Sequence, residues 1–236
     1  VNGSDSRFYV LKLDNPWAKV SLLGTDGGLL EKPIVIMDGD GMDEQGEQIV
    51  FSPADRLQLM FDFTSPNISV SDHVRLLNVG ASWEPFKGLN PDGSLQPGFD
   101  VDFGVQVPVT AATPDDSVGS IMEFQFAADP LDPTAPDQSQ VKTYNLDDNT
   151  ILNANIVHLS EVDAKVRKLG IFEIEDQFGR IMPMIGTAES AVNQIGETVF
   201  GPQGWDAPVT EMVKLGDTEV WEFYNDTADA HPMHVH

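Results

Sequence analysis

The sequence predicts an all-β protein, a sandwich or barrel of short strands. Three observations carry the prediction. Short runs that alternate in polarity, or are rich in β-branched and aromatic residues, recur along the chain. Turn-forming dipeptides separate them. Sixteen prolines and twenty glycines in 236 residues leave little room for long helices.

Taken in order, the predicted strands are Phe8 to Leu13, Lys19 to Leu23, Ile34 to Met37, Leu57 to Phe63, Val74 to Val79, Ile121 to Phe126, Leu169 to Ile174 and Val220 to Tyr224. Asp26-Gly27, Asp38-Gly39, Asp40-Gly41, Asn90-Pro91 and Asp92-Gly93 mark turns between them. Asp163 to Lys168 and Glu189 to Ile195 are expected to have room for a helical turn or two. Residues 128–137 are rich in Pro and Asp and lack periodicity, which reads as a linker. The expected organisation is one β domain over 1–127, a connecting segment over 128–160 and part of a second β domain over 161–236. Trp83, Trp205 and Trp221 are expected in cores or domain interfaces.

With glycine counted and tyrosine left out, about 48% of the residues are apolar, the usual share for a globular domain. The charge is less usual. Thirteen Lys and Arg face 38 Asp and Glu, a formal net charge of −25. Such a chain repels phosphate backbones and anionic lipid, which argues against nucleic acid as a partner. No apolar run reaches the length of a membrane span. No cysteine is present, so thiol catalysis and cysteine metal sites are excluded within these residues. The acidic stretch Asp38 to Glu44 fails as an EF-hand loop. Counted from Asp38, Met42 falls where a ligand is needed, Asp43 where glycine is needed and Ile49 where glutamate is needed.

Chemistry concentrates in the final six residues, His231-Pro232-Met233-His234-Val235-His236. Imidazole is the commonest transition-metal ligand and suits copper and zinc. On a strand, His234 and His236 face the same way, about 6.6–6.8 Å apart. They can grip one metal together or two adjacent metals singly. Pro232 stiffens the entry, and His231 is left to serve a different ion. An H-x-H pair alone also describes two surface histidines on an edge strand. Three histidines as H-P-x-H-x-H, directly after the alternating run Glu219 to Tyr224, are more specific. His73 and His158 lie in no ligand pattern and read as structural. Met182-Pro183-Met184 reads as packing within an apolar strand. Asp226 and Asp229 are near enough in sequence to support a ligating histidine from behind.

Gly216 to His236 resembles the third copper motif of the multicopper oxidases, at the start of their last cupredoxin domain. The closest branch contains spore-coat laccase, bilirubin oxidase and phenoxazinone synthase. Arg7 to Leu13, Leu23 to Leu30, Phe51 to Leu57 and Met60 to Phe63 resemble the middle cupredoxin domain of that branch, in the same order. Phe178-Gly179-Arg180 and Trp205-Asp206 resemble its crossing into the third domain. Residues 128–165 match least. The resemblance implies cupredoxin-like Greek-key β-sandwiches, one near-complete and one partial. It implies that His231 binds type 1 copper, His234 type 2 copper and His236 one of the type 3 pair. It further implies a small phenol, aromatic amine or low-valent metal ion as reductant, dioxygen as acceptor, and a periplasmic, extracellular or cell-surface setting.

The departures from the family pattern shape the expectation. A blue copper site needs a thiolate, and the family's other H-x-H and His-Cys-His motifs are absent here. The chain starts almost within a strand-like run and stops inside a ligand-rich segment. It is therefore expected to be the middle of a longer polypeptide, with the other copper ligands on the same polypeptide or a companion chain. Two alternatives stand beside the laccase-like oxidase: a non-catalytic copper-binding or structural cupredoxin module, and a binding β-sandwich whose histidines are incidental.

Overall fold

The computed structural model describes residues 1–82, 86–100, 105–128, 147 and 149–235. Trp83, His236 and most of the Pro- and Asp-rich stretch lie outside them. Every regular element among the described residues is a strand. The chain divides into two compact units, Val1–Ile156 with Pro232–His236, and Val157–His231.

The first unit carries β1 (Tyr9–Leu13), β2 (Lys19–Thr25), β3 (Gly28–Met37), β4 (Ile49–Phe51), β5 (Gln58–Asp62), β6 (His73–Asn78), β7 (Gly98–Asp100), β8 (Val105–Val107) and β9 (Ser120–Gln125). One sheet has the order β4-β1-β6-β9 and a second β3-β2-β5, while β7 and β8 form a small hairpin. All of these pairs are antiparallel. Strands β1 and β2 are consecutive yet lie in different sheets, so their apolar faces can oppose each other. Leu11 and Leu13 of β1, Val20 of β2, Met37 of β3, and Val74 and Leu76 of β6 form one buried cluster with Ala18 and Ile68. Phe61, Phe63, Phe124 and Phe126 extend it, with ring centroids 4.9–5.2 Å apart between Phe124 and Phe63, Phe124 and Phe61, and Phe63 and Phe126.

Asp26-Gly27 makes the turn between β2 and β3. The Asp38 to Glu44 stretch is a loop whose carboxylates turn onto their own backbone. Asp38 accepts from the Asp40 N–H at 3.0 Å, and Asp40 from the Met42 N–H at 2.7 Å. Gly41 has φ of 91°, and a Cβ there would fall 2.3 Å from the Trp17 ring, so only glycine fits.

The second unit carries β10 (Lys165–Glu175), β11 (Ile181–Val192), β12 (Thr198–Pro202) and β13 (Glu219–Asn225) in the order β12-β11-β10-β13. The helical turns expected at 163–168 and 189–195 are not formed, because β10 and β11 run through these stretches. Lys165 to Lys168 pair with β13, and Ala191 and Val192 pair with β12, which overrides the local helix preference. Trp205 and Trp221 do not sit in a core. Trp205 is fully exposed and Trp221 is 41% exposed.

Candidate metal centre

Strand β13 delivers the histidine segment. It runs parallel to β10, in register from Lys165 opposite Glu219 to Ile171 opposite Asn225. Its start is fixed by an ion pair. Arg167 Nε donates to Glu219 Oε2 at 2.6 Å and Nη2 to Oε1 at 2.8 Å. Nη2 also donates to the Met212 carbonyl at 2.9 Å, and Trp221 Nε1 donates to Glu219 at 2.9 Å. The Arg167 hydrogen bonds hold the Glu219 carboxyl down at about 2. At the other end the Asp226 N–H donates to the Ile171 carbonyl at 3.0 Å, carrying the pairing one residue beyond the strand.

The loop after β13 is tied by Asn225. Its Oδ1 accepts from the Thr227 N–H and hydroxyl at 3.1 and 2.7 Å, and its Nδ2 donates to the Asp229 carbonyl at 2.6 Å. His231 Nε2 lies 2.9 Å from Thr227 Oγ1 and 3.6 Å from Glu173 Oε1. The single hydroxyl proton of Thr227 has Asn225 Oδ1 and the Asp229 carbonyl as acceptors. Toward His231 the hydroxyl oxygen therefore accepts and Nε2 donates. Sequence reasoning looked to Asp226 and Asp229 and missed both Thr227 and Glu173. The signal for Glu173 was an acidic residue on the strand paired with β13, which requires the parallel register to be known.

His234 belongs to the first unit. Its Nε2 lies 3.0 Å from the Pro53 carbonyl and its Nδ1 2.9 Å from Asp26 Oδ2. Asp26, at the β2–β3 turn, also accepts from the Arg56 N–H at 2.5 Å. Asp55 accepts from the Ser52 N–H at 2.7 Å and from the Ser52 hydroxyl. The Pro53–Asp55 turn holds Ala54 at a φ of 67° and is strapped by the buried Asn2. The Asn2 N–H donates to the Asp55 carbonyl and the Asn2 carbonyl accepts from the Ala54 N–H, both at 3.0 Å. One ligand atom each from Asp26, Asp55 and His234 lies within 4.8 Å of the others. The Pro53 carbonyl, then Asp26, raises the histidine's pKa, while the Arg56 N–H lowers that of Asp26. Neither carboxylate was singled out from the sequence, because they come from turns far from the motif in the chain. His236, the third predicted ligand, lies outside the described residues.

No protein-family model matches the chain. A laccase of Bacillus subtilis (strain 168) is 25% identical over all 236 residues, which cover 33% of that protein. Along its whole length the chain is similar to multicopper oxidases. Multicopper oxidase LPR1 homolog 5 of Oryza sativa subsp. japonica is 22% identical over the same 236 residues, 28% of its length. Among solved structures, the 2F4 variant of McoA multicopper oxidase from the hyperthermophile Aquifex aeolicus superposes with a TM-score of 0.50 at 20% identity, over 97% of this chain and 37% of that one. The fold is thus all-β and cupredoxin-like, as the sequence predicts. The chain spans about a third of the length of the multicopper oxidases it matches. Among the described residues no helix is long and apolar enough to cross a membrane.

Proposed function

We propose that these residues are the middle and the opening of the last cupredoxin domain of a laccase-like multicopper oxidase, with His231, His234 and His236 as three of its copper ligands. The observation that carries the reading is the H-P-x-H-x-H segment after β13, with Nε2 of His231 set against Thr227 and Glu173. Similarity along all 236 residues to a third of the length of a laccase supports it. Within the reading, 1–127 is the middle domain, 128–160 the connection and 161–236 the start of the copper-binding domain. Imidazole donors fit copper, and the chain has no thiolate, so a blue site takes its cysteine from outside these 236 residues. His231 would hold the type 1 ion, His234 the type 2 ion and His236 one of the type 3 pair. Copper bound there would take single electrons from a phenol, aromatic amine or low-valent metal ion and deliver four to dioxygen, giving water. The chain's own part is to fix imidazole orientation: Thr227 accepts from the Nε2–H of His231, Glu173 stands 3.6 Å from that nitrogen, and the Asn225 loop holds Thr227.

In the protein carrying the remaining ligands, His231→Ala abolishes the intense blue absorption of the thiolate–copper bond. His234→Ala and His236→Ala leave that band and stop oxygen consumption. A blue band that survives the His231 change overturns the residue assignment. A second reading, a non-catalytic copper-binding or structural module, is favoured by the missing cysteine. It requires that the mature polypeptide bind copper without a blue band, which absorption of the purified protein decides.

A further inference from the structure

We propose that Asn67 is the residue at which this chain accepts an N-linked glycan when it is exported. The proposal concerns the first unit and is independent of the copper ligands. Three asparagines stand in the acceptor pattern N-x-S/T: Asn2-Gly3-Ser4, Asn67-Ile68-Ser69 and Asn225-Asp226-Thr227. The pattern by itself does not choose among them. The fold does, because a folded protein carries a bulky, solvated sugar only on an amide that faces water and ties nothing together.

Asn2 fails that condition. It is 3% exposed. Its Nδ2 donates to the Arg7 and Phe51 carbonyls at 2.8 and 2.9 Å, so both amide hydrogens are spent. Its Oδ1 accepts from the Ser4 N–H and hydroxyl at 3.0 and 2.6 Å. A glycan on Nδ2 would replace one of those two hydrogens and leave a carbonyl unpaired. Asn225 fails for a different reason. Its Nδ2 is drawn to 2.6 Å from the Asp229 carbonyl, where a sugar would crowd the loop. The Thr227 hydroxyl of its pattern is already engaged with Asn225 Oδ1, the Asp229 carbonyl and His231.

Asn67 meets the condition. It lies between β5 and β6 in the turn Ser65-Pro66-Asn67-Ile68, closed by the Ile68 N–H donating to the Ser65 carbonyl at 3.0 Å. Pro66 takes the second place of the turn, where its fixed φ is preferred. Asn67 is exposed, and its side-chain amide makes no hydrogen bond among the described residues. Ile68 is 4% exposed and belongs to the core cluster, so the turn is anchored directly beneath the free amide. The Ser69 hydroxyl meets only the Ser71 hydroxyl, at 2.9 Å, among the described residues. Transfer joins Asn67 Nδ2 to the anomeric carbon of an oligosaccharide carried on a lipid diphosphate. The new C–N bond replaces an amide N–H, and the glycosyl C–O bond breaks. The lipid diphosphate leaves with the electron pair, the amide proton passes to a base of the transferase, and nothing is oxidised.

The test is export of the full chain behind a secretory leader in a eukaryotic host, with peptide mapping of the folded product by mass spectrometry. Enzymatic removal of the glycan that converts its carrier asparagine to aspartate marks the site. Aspartate is expected at 67, with asparagine kept at 2 and 225. This readout uses the unaltered chain, so it does not depend on the folding of any variant. Asn67→Gln and Ser69→Ala each remove the glycan, while Ser69→Thr retains it. An unmodified Asn67 in the folded, exported protein overturns the proposal. A glycan on Asn2 or Asn225 of the folded protein also overturns it, since the fold would then not select the site. Survival of the added mass in Asn67→Gln does the same.

Discussion

Residues 1–156 and residues 157–231 are built from equally regular strands and differ in what covers them. In the first, two sheets face each other across Met37, Val74, Leu76 and their neighbours. In the second there is one four-stranded sheet, and among the described residues Leu169 and Ile171 are its only buried large apolar side chains. Phe178, Phe200 and Ile181 stand 71%, 68% and 66% exposed. The difference separates two things that strand patterns are often taken to report together. Alternation specifies that a segment is extended and which of its faces is apolar. It does not specify that a second sheet lies over that face. The first unit is therefore held by burial, and the second by its backbone ladder and the Arg167–Glu219 pair.

The sharpest way to break that comparison is a deletion inside the first unit. Met37 is 2% exposed and packs between the sheets. Met37→Ala is expected to cost about 2–5 kcal/mol through lost burial and a residual cavity. Denaturant unfolding, with hydrogen exchange resolved by strand, checks it. The change should lower protection in β1, β2 and β6 and leave β10 and β11 as they were. Equal loss in both units would mean that they unfold as one cooperative body.

Acid sharpens the comparison from the other side. Glu219 titrates at about 2 in the folded protein against an ordinary 4.5, chiefly because Arg167 hydrogen-bonds its ionised form. A depressed carboxyl contributes stability that is complete above its unfolded value and lost as pH falls. For Glu219 that window runs from about 4.5 down through about 2. Trp221 donates to the same carboxylate, so its fluorescence should follow the loss. Glu219→Gln should flatten most of the pH dependence in that window. Asp176, whose carboxyl is lowered by the Arg180 N–H, keeps a remainder. An unchanged acid profile in the variant would remove the ion pair from the account of the second unit.

Legibility in the sequence followed the same division. Each predicted strand falls on an observed one, since eight runs had apolar or β-branched repeats of their own. The strands β4, β7, β8 and β12 are five residues or shorter and carry little local signal, so pairing defines them. The turns at 163–168 and 189–195 went the other way, because local helix formers were overruled by strand pairing, the first stretch with β13 and the second with β12. The histidine motif was readable from spacing alone. Its supporters were not: Thr227 is four residues from His231, but Glu173 comes from β10, and Asp26 and Asp55 lie some 180–210 residues before His234. Spacing reports neighbours along the chain, and oxygen donors brought in by a fold have none.

The smallest expected effect is the most discriminating for the second unit. Ile181 begins β11 opposite Glu175 and is two-thirds exposed. Ile181→Thr keeps the β-branched shape that suits a strand and removes apolar surface already facing water. Surface changes of that kind fall within about 0.5 kcal/mol. Thermal unfolding of the 236-residue chain should therefore not move beyond that range. The same substitution in Ile171, which is buried between β11 and β13, removes packed apolar contact and should be plainly destabilising. If the two changes cost alike, the exposed face of the sheet is buried in solution, and the contrast between the units lies in the company the second unit keeps rather than in its own strands.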